Sequence, residues 1–315
     1  MHPAFSVIFF TVFSGTGYGL LALIGVLVAF GLLPQSTPLG LIGLGLGLVA
    51  VSTGLLASTW HLGHPERAWR AFSQWRTSWL SREGVVAVAT YVPVLMLTYF
   101  WLFDDGSGVV MPVWAVLTAV GAMATVACTG MIYQSLRTVH QWHNHLTVPN
   151  YLLLGLAGGG VWLNAVVAGL EINQPVVAGA AISAVIAAWL AKRAYWNFID
   201  TTSHAATKGT ATGLGALGEV SNFEAPHTED NYLLKEMGYR IARKHAAKLR
   251  DYSEGLGFAL PLALVAISYA SEGGISVLAG LLGAISITTG LLIERWLFFA
   301  EAKHVVTLYY GADTA

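Results

Sequence analysis

The chain has 315 residues, of which 55% are hydrophobic and only 10% charged, whereas about 25% of the residues in an ordinary soluble domain are charged. The formal net charge of −1 leaves no basic field that would attract nucleic acid. The single cysteine, Cys128, excludes an intramolecular disulfide, a cysteine-based zinc site and an iron–sulfur cluster held by this chain. This composition is typical of a polytopic membrane protein.

Apolar segments of roughly the length needed to cross a bilayer, about 20 residues in a helix, recur along the whole chain. The sixth and seventh segments are short and need their flanks to reach across. Turn-forming residues separate several of them, as in LPQSTP (33–38) and DDGSG (104–108). The sequence therefore predicts an all-α integral membrane protein, a bundle of eight transmembrane helices. The segments are 5–33, 39–59, 85–103, 109–132, 148–170, 176–191, 256–270 and 275–299.

The basic residues all belong to one side of this predicted bundle. The loops after the first, third, fifth and seventh spans contain Asp104, Asp105, Glu171 and Glu272, and they contain no Lys or Arg. Positively charged loops stay in the cytoplasm. We therefore predict a multi-pass membrane protein with both termini and the even-numbered loops on the cytoplasmic side.

The charge distribution also divides the chain into three predicted parts. Residues 1–191 form transmembrane helices 1–6, residues 192–254 form a cytoplasmic docking arm, and residues 255–315 form helices 7 and 8 with a carboxyl-terminal tail. The arm contains 17 of the chain's 33 charged residues, and its stretch 231–250 has the pattern of a basic amphipathic helix. Two interpretations stay open for that helix: it lies on lipid headgroups, or it docks a cytoplasmic partner.

The densest polar cluster beside a span is HLGHPERAWRAFSQWRTSWLSREG, residues 61–84. His61 is predicted at the end of the second helix and Glu83 at the start of the third, near the edge of the hydrocarbon region. Ionisable groups at that depth are costly and mark functional sites. A quinone headgroup needs hydrogen bonds and a route for protons, which a histidine and a nearby carboxylate supply. The alternative is that both residues only cap helix ends.

Arg295 is a second ionisable candidate, because it follows Glu294 inside the last apolar segment. An arginine at membrane depth faces the bundle interior and has a partner there. Two roles stay open for Arg295: a structural pairing with another helix, or a place in a quinone pocket.

Two other kinds of membrane protein fit the sequence less well. A haem b bundle needs axial ligands on facing helices, but almost all of the ten histidines lie outside the predicted spans. A transporter would show internal repeats and polar residues at the bilayer midplane, whereas the polar groups here cluster at one edge. We therefore expect neither haem b nor transport.

The motif HLGHPERA (61–68), followed by SWLSREG (78–84), resembles the second-loop motif of the DMSO reductase membrane anchor (DmsC-like) proteins. These proteins belong with the wider NrfD/PsrC-type quinone-interacting subunits. The segments 1–20, 142–159 and 217–250 resemble one branch of them, the membrane subunits of cytoplasmic, membrane-bound sulfite dehydrogenases. The resemblance covers essentially the whole chain.

The resemblance implies a function and a set of site residues. Such subunits anchor a molybdopterin catalytic subunit and an iron–sulfur subunit, exchange electrons with ubiquinone or menaquinone, and are generally free of haem. By motif, His61, Glu83 and Arg67 match the family's quinone-site histidine, the glutamate of the following helix and the motif arginine. The chain is then expected to pass electrons from sulfite oxidation on its partners to the quinone pool.

An anchor for DMSO or polysulfide reduction, oxidising menaquinol, is the alternative within the family. In DMSO reductase anchors the loop near the quinone faces the periplasm. The charges of this chain instead predict residues 61–84 in the cytoplasm. This departure favours the sulfite-oxidising branch.

Overall fold

The computed structural model describes residues 5–59, 64–103, 110–202, 206–224 and 244–310. Within these ranges the protein is all-helical, without β-strands, and eight helices are long and apolar enough to cross a membrane. The predicted eight-span helical bundle is thereby confirmed. The spans are α1 Phe5–Ala29, α2 Thr37–Ala57, α3 Trp79–Phe103, α4 Val110–Gln134, α5 Thr147–Gly169, α6 Pro175–Thr201, α7 Ala246–Ala270 and α8 Gly273–Ala300.

The sixth and seventh spans, whose apolar segments are short, extend into the polar residues that flank them, as expected. α6 has 27 residues and α7 has 25. The helix of α6 continues beyond residue 191, where the predicted sixth segment ends, and the Lys192 side chain is only 1% exposed. It is tolerated at this depth because a carboxylate from α8 pairs with it. Of the predicted arm helix, residues 231–243 lie outside the described residues.

Glycines let the two central helices, α1 and α5, cross at very short range. A Cβ atom on Gly19 would overlap the carbonyl oxygen of Gly155, and one on Gly159 would overlap the backbone of Leu20. Small residues at a crossing allow backbones to approach this closely. α2, α4 and α8 pack on α1, α6 packs on α5, and α3 packs outside α4.

A π-helical turn, Gly255–Ala259, interrupts α7 where it meets α8. There, a Cβ atom on Gly290 would overlap the backbone of Gly257. The Ser286 hydroxyl donates to the carbonyl oxygen of Leu256 at 2.7 Å. π-turns often mark functional regions of helices. This contact holds α8 in place just before Glu294 and Arg295.

The loop between α2 and α3 contains a surface 3₁₀ helix, Pro65–Gln74, which we call the loop helix. The Phe72 ring of this helix packs against Gly84 of α3. A Cβ atom placed on Gly84 would lie 3.1 Å from the nearest ring carbon. Arg82 donates from Nε to the carbonyl oxygen of Trp75 at 2.9 Å and from Nη2 to that of Arg76 at 2.7 Å. These contacts hold the loop against the first turns of α3, where Glu83 lies.

Candidate quinone and proton site

Glu83 is a buried carboxyl group near the start of α3, and its side chain is 5% exposed. The Thr129 hydroxyl of α4 donates a hydrogen bond to Glu83 Oε1. Taking a carboxyl group out of water is costly, and ionisable groups inside a membrane are functional-site candidates by default. Glu83 can therefore hold or release a proton at the end of the bundle that bears the loop helix.

Three charged side chains form a second buried cluster, between α6 and α8. Lys192 Nζ lies 2.5 Å from Glu294 Oε1, and Arg295 Nε lies 2.5 Å from Glu294 Oε2. All three residues are at most 4% exposed. The Lys192 Nζ is 4.0 Å from the ring centroid of Tyr195, and the Arg295 Cζ is 4.1 Å from that of Tyr151. We call Lys192, Glu294 and Arg295 the ion triad.

The loop between α4 and α5 covers this end of α8. Trp142 Nε1 donates to the carbonyl oxygen of Phe298 at 2.9 Å, and the two rings stack with centroids 5.7 Å apart. The backbone nitrogen of Lys303 donates to Gln141 Oε1 at 3.0 Å. Tyr133 contacts the same Phe298 ring, edge to face. This aromatic packing shields the ion triad from water.

A second ionic group, partly buried, lies beyond the triad. Arg250 Nη1 is 2.6 Å from Asp200 Oδ2, and its Nη2 is 2.7 Å from Glu301 Oε1. Burial raises the pKa of the Glu301 carboxyl above its usual value, although the Arg250 charge opposes this effect. These contacts tie the ends of α6, α7 and α8 together.

A small cavity of about 20 Å³ lies between Thr129 and Arg295 of the ion triad. Its wall includes Thr129 of α4, Tyr151 of α5, Arg295 of α8 and Thr16 of α1. A cavity of this size holds about one water molecule, whereas pockets for organic ligands measure roughly 300–1,000 Å³. A quinone ring does not fit inside it.

A larger cavity of about 300 Å³ opens at the opposite end of the bundle. It lies between the α5–α6 and α7–α8 connections, beside Glu171, Glu272 and the buried Asn164. Of the predicted site residues that the structure describes, Arg67, Glu83 and Arg295, none lines it. Cavity size alone therefore does not indicate where the predicted chemistry takes place.

The structure places the predicted site residues in two groups. Arg295 lines the small cavity. Glu83 does not line it but accepts a hydrogen bond from Thr129, which does. Arg67 lies on the loop helix with its side chain 56% exposed, 3.8 Å from Glu66. His61 lies outside the described residues, and α2 ends four positions before it, at Ala57.

The sequence pattern did not single out Lys192 or Thr129. Lys192 follows the apolar segment 176–191 directly and was therefore assigned to the arm. That segment is shorter than the 20 or so residues that a span needs, so the helix was expected to extend into its flanks. The short segment was therefore the available signal that Lys192 belongs to the helix. No sequence signal marked Thr129, because its role depends on a contact with Glu83 of a different helix.

Comparisons with known proteins match nearly the full chain. The profile of the DMSO reductase anchor subunit (DmsC) family matches residues 1–311. A sulfite dehydrogenase subunit of Allochromatium vinosum is 36% identical over 333 aligned positions, which cover 98% of this chain and 99% of that protein. The similarity therefore includes all eight spans and the loop helix.

Proposed function

Because the chain belongs to the DMSO reductase anchor subunit (DmsC) family, we propose that it anchors a molybdopterin catalytic subunit and an iron–sulfur subunit at the membrane. Sulfite is oxidised on the catalytic partner, and this chain passes the electrons to ubiquinone or menaquinone. The likeness to a sulfite dehydrogenase subunit over almost the whole chain supports sulfite as the substrate. The iron–sulfur clusters belong to a partner, since one cysteine cannot ligate a cluster, and in this proposal the catalytic partner holds molybdopterin.

The buried carboxyl group of Glu83 is the observation that carries the quinone site. A protonated Glu83 donates a hydrogen bond to a quinone oxygen and supplies a proton when the quinone is reduced, while Thr129 orients the carboxyl group. Because the cavity beyond Thr129 is too small for a quinone ring, the ring approaches Glu83 from the loop side. Arg67 and, by its position in the sequence, His61 belong to that side, with Arg295 beyond the cavity.

The loop helix and the two residues that follow it provide the surface on which the iron–sulfur partner docks in this proposal. Trp69 and Trp75 are exposed, and the guanidinium groups of Arg70 and Arg76 lie over these rings, with the Cζ atoms 5.7 and 5.4 Å from the centroids. Tryptophan and arginine are enriched in protein interfaces. A partner bound here has its cluster on the same face as Glu83, which keeps the electron transfer distance short.

We place this face in the cytoplasm of a bacterial inner membrane, together with both termini and the arm. A reporter fused after Ala315 is expected to show a cytoplasmic location, and one inserted within 104–108 the opposite location, because positive loops remain inside. Paired alkaline phosphatase and green fluorescent protein fusions measure this. The reverse pattern would contradict both the topology and the cytoplasmic site of sulfite oxidation.

The family name supports one alternative, an anchor for reduction of DMSO or polysulfide, with electrons leaving menaquinol. It shares the fold and the quinone site, and it differs in the partner's substrate and the direction of electron flow. Assays in both directions on one preparation therefore separate the two functions.

The direct test is to purify the chain with its partners from its own membrane. We expect sulfite-dependent reduction of a short-chain quinone, together with molybdenum and iron in the preparation. A DMSO or polysulfide assay with menaquinol is run on the same sample. Quinol oxidation by either acceptor without sulfite activity would favour the reductase anchor, and absence of molybdenum would contradict both forms of the proposal.

A further inference from the structure

The cavity of about 300 Å³ at the end of the bundle opposite the loop helix has no task in the proposed quinone chemistry. Glu171 of the α5–α6 connection and Glu272 of the α7–α8 connection both line it. We propose that this cavity binds a hard divalent cation such as Ca²⁺, which ties the two connections together. The inference uses residues remote from Glu83 and does not rest on the proposed function.

The side chains around the cavity are of the kind that binds hard cations. Asn173, Gln174 and Ser271 add amide and hydroxyl oxygens to the two carboxylates. Ca²⁺ takes six to eight or so oxygen ligands from carboxylates, amide carbonyl groups and water. Transition metals favour Cys and His, and neither is among the described residues that line the cavity. A water molecule occupies about 30 Å³, so an ion enters with several of its water molecules.

Asn164 of α5 is the buried polar group of this cavity. It lies five residues before the end of α5 at Gly169 and is only 3% exposed. Its Nδ2 atom has no hydrogen-bond partner among the described residues, although the residue lines the cavity. A buried polar atom without a partner is costly, so the amide is available to a ligand. Rotation of the side chain brings its oxygen to a bound ion, or its nitrogen to a carboxylate that holds the ion.

Basic side chains of the protein do not compete with an external cation at this end. The loops after the first, third, fifth and seventh spans contain no Lys or Arg in the sequence, and none is among the described residues that line the cavity. Two carboxylates in one cavity repel each other, and a divalent ion cancels both charges. The same lack of basic residues disfavours a phospholipid headgroup, because nothing would hold its phosphate.

Glu171 occupies a backbone position that favours glycine. It has φ +54°, in the left-handed region, two residues after α5. Its N–H donates to the carbonyl oxygen of Ala168 at 3.0 Å, and the N–H of Ile172 donates to that of Val167 at 2.9 Å. α1 ends in the same two-bond motif with Gly31 at φ +65°. The chain therefore places a carboxylate beside the cavity at a conformational cost.

A pair of serines fixes the α7–α8 side of the cavity. Ser276 Oγ donates to the carbonyl oxygen of Ser268 at 2.6 Å, and Ser268 Oγ donates to that of Ser276 at 3.0 Å. Both residues line the cavity. α7 and α8 are therefore already joined beside Glu272 without an ion. The contribution of the ion is the further link from this pair of helices to the α5–α6 connection, through Glu171.

Terbium luminescence tests the site directly in the purified complex. Tb³⁺ replaces Ca²⁺ at oxygen sites and luminesces when it is excited through a nearby tyrosine, and Tyr269 lines the cavity. We expect a tyrosine-sensitised signal that Ca²⁺ displaces with a Kd of about 10⁻⁴–10⁻³ M, the range of extracellular Ca²⁺ modules. Tyr269→Phe should lose this signal, which separates it from the signal of ions bound elsewhere in the complex.

Removing either carboxylate should weaken ion binding by about tenfold or more, because affinity depends on the number of charged ligands. Glu171→Gln and Glu272→Gln keep the shape of the side chains, and the double variant should lose the tyrosine-sensitised signal altogether. Asp251→Asn is the matched control, because Asp251 is an exposed carboxylate at the other end of α7, and its signal should equal that of the wild type. An undiminished signal in the double variant would overturn the proposal.

Glu171→Gly gives a second readout, in which backbone strain and ion binding act in opposite directions. In a chelator this variant should precipitate at a higher temperature than the wild type, because glycine suits φ +54°. With about 10 mM Ca²⁺ only the wild type should gain, by about 3 °C or more. An immunoblot of the heated complex follows this chain alone. A gain of the same size in Glu171→Gly would contradict the role of Glu171.

Competition with ethanolamine separates a metal site from a site for organic amines. An ammonium group pairs with carboxylates but has no use for amide and hydroxyl oxygens as metal ligands, so ethanolamine should not displace Tb³⁺ at concentrations at which Ca²⁺ does. Equal displacement by the two would overturn the assignment of a metal ion. None of these measurements uses sulfite or quinone, so a negative result leaves the proposed function as it stands.

Discussion

Replacing Glu83 by glutamine is expected to lower sulfite-dependent quinone reduction by about 10²-fold or more, because a positioned acid–base group contributes about 10²–10⁴-fold to a rate. Glutamine keeps the shape of the side chain, and its amide oxygen can still accept the hydrogen bond from Thr129. The fold is therefore retained while the exchangeable proton is lost. Initial rates with a short-chain quinone and the purified complex measure the effect.

Two controls accompany this measurement. Reduction of an artificial dye by the hydrophilic partners should be unchanged in Glu83→Gln, since that reaction does not need the quinone site. Glu272→Gln makes the same chemical change in an exposed residue at the far end of the bundle and should leave quinone turnover unchanged. Full quinone turnover in Glu83→Gln would move the site away from α3.

Replacing Gly19 by alanine is expected to prevent the chain from folding normally, at a cost above about 4 kcal/mol, the range of exceptional single substitutions. The added Cβ would overlap the carbonyl group of Gly155. Both overlapping groups belong to the backbones of central helices, so no side chain can rotate away. The yield of monodisperse protein in size-exclusion chromatography and the midpoint of thermal unfolding measure the loss.

Gly45→Ala is the matched control, because Gly45 lies within α2 and a Cβ there meets nothing within 4 Å. An alanine in a helix is more favourable than a glycine by about 1 kcal/mol, so this variant should be at least as stable as the wild type. Normal accumulation of Gly19→Ala would show that α1 and α5 are farther apart than the structure has them.

The candidate site was only partly predictable from sequence. Glu83 and Arg295 could be singled out because an ionisable residue at membrane depth is costly wherever it occurs. Their connection was not predictable: Thr129 reaches Glu83 from a position 46 residues later, and apolar periodicity says nothing about which hydroxyl group faces which carboxyl group. The roles of His61, Arg67, Glu83 and Arg295 at a quinone stay predictions.

The sequence by itself determined the number of spans and the end of the bundle where the polar groups gather. Both follow from properties that add up along the chain, namely the length of apolar runs and the position of charges relative to them. Only the tertiary structure decided that the Lys192 side chain is buried within the helical bundle, against Glu294. The energy of a buried lysine depends on whether a carboxylate meets it, and that carboxylate, Glu294, is far away in sequence and 2.5 Å away in space.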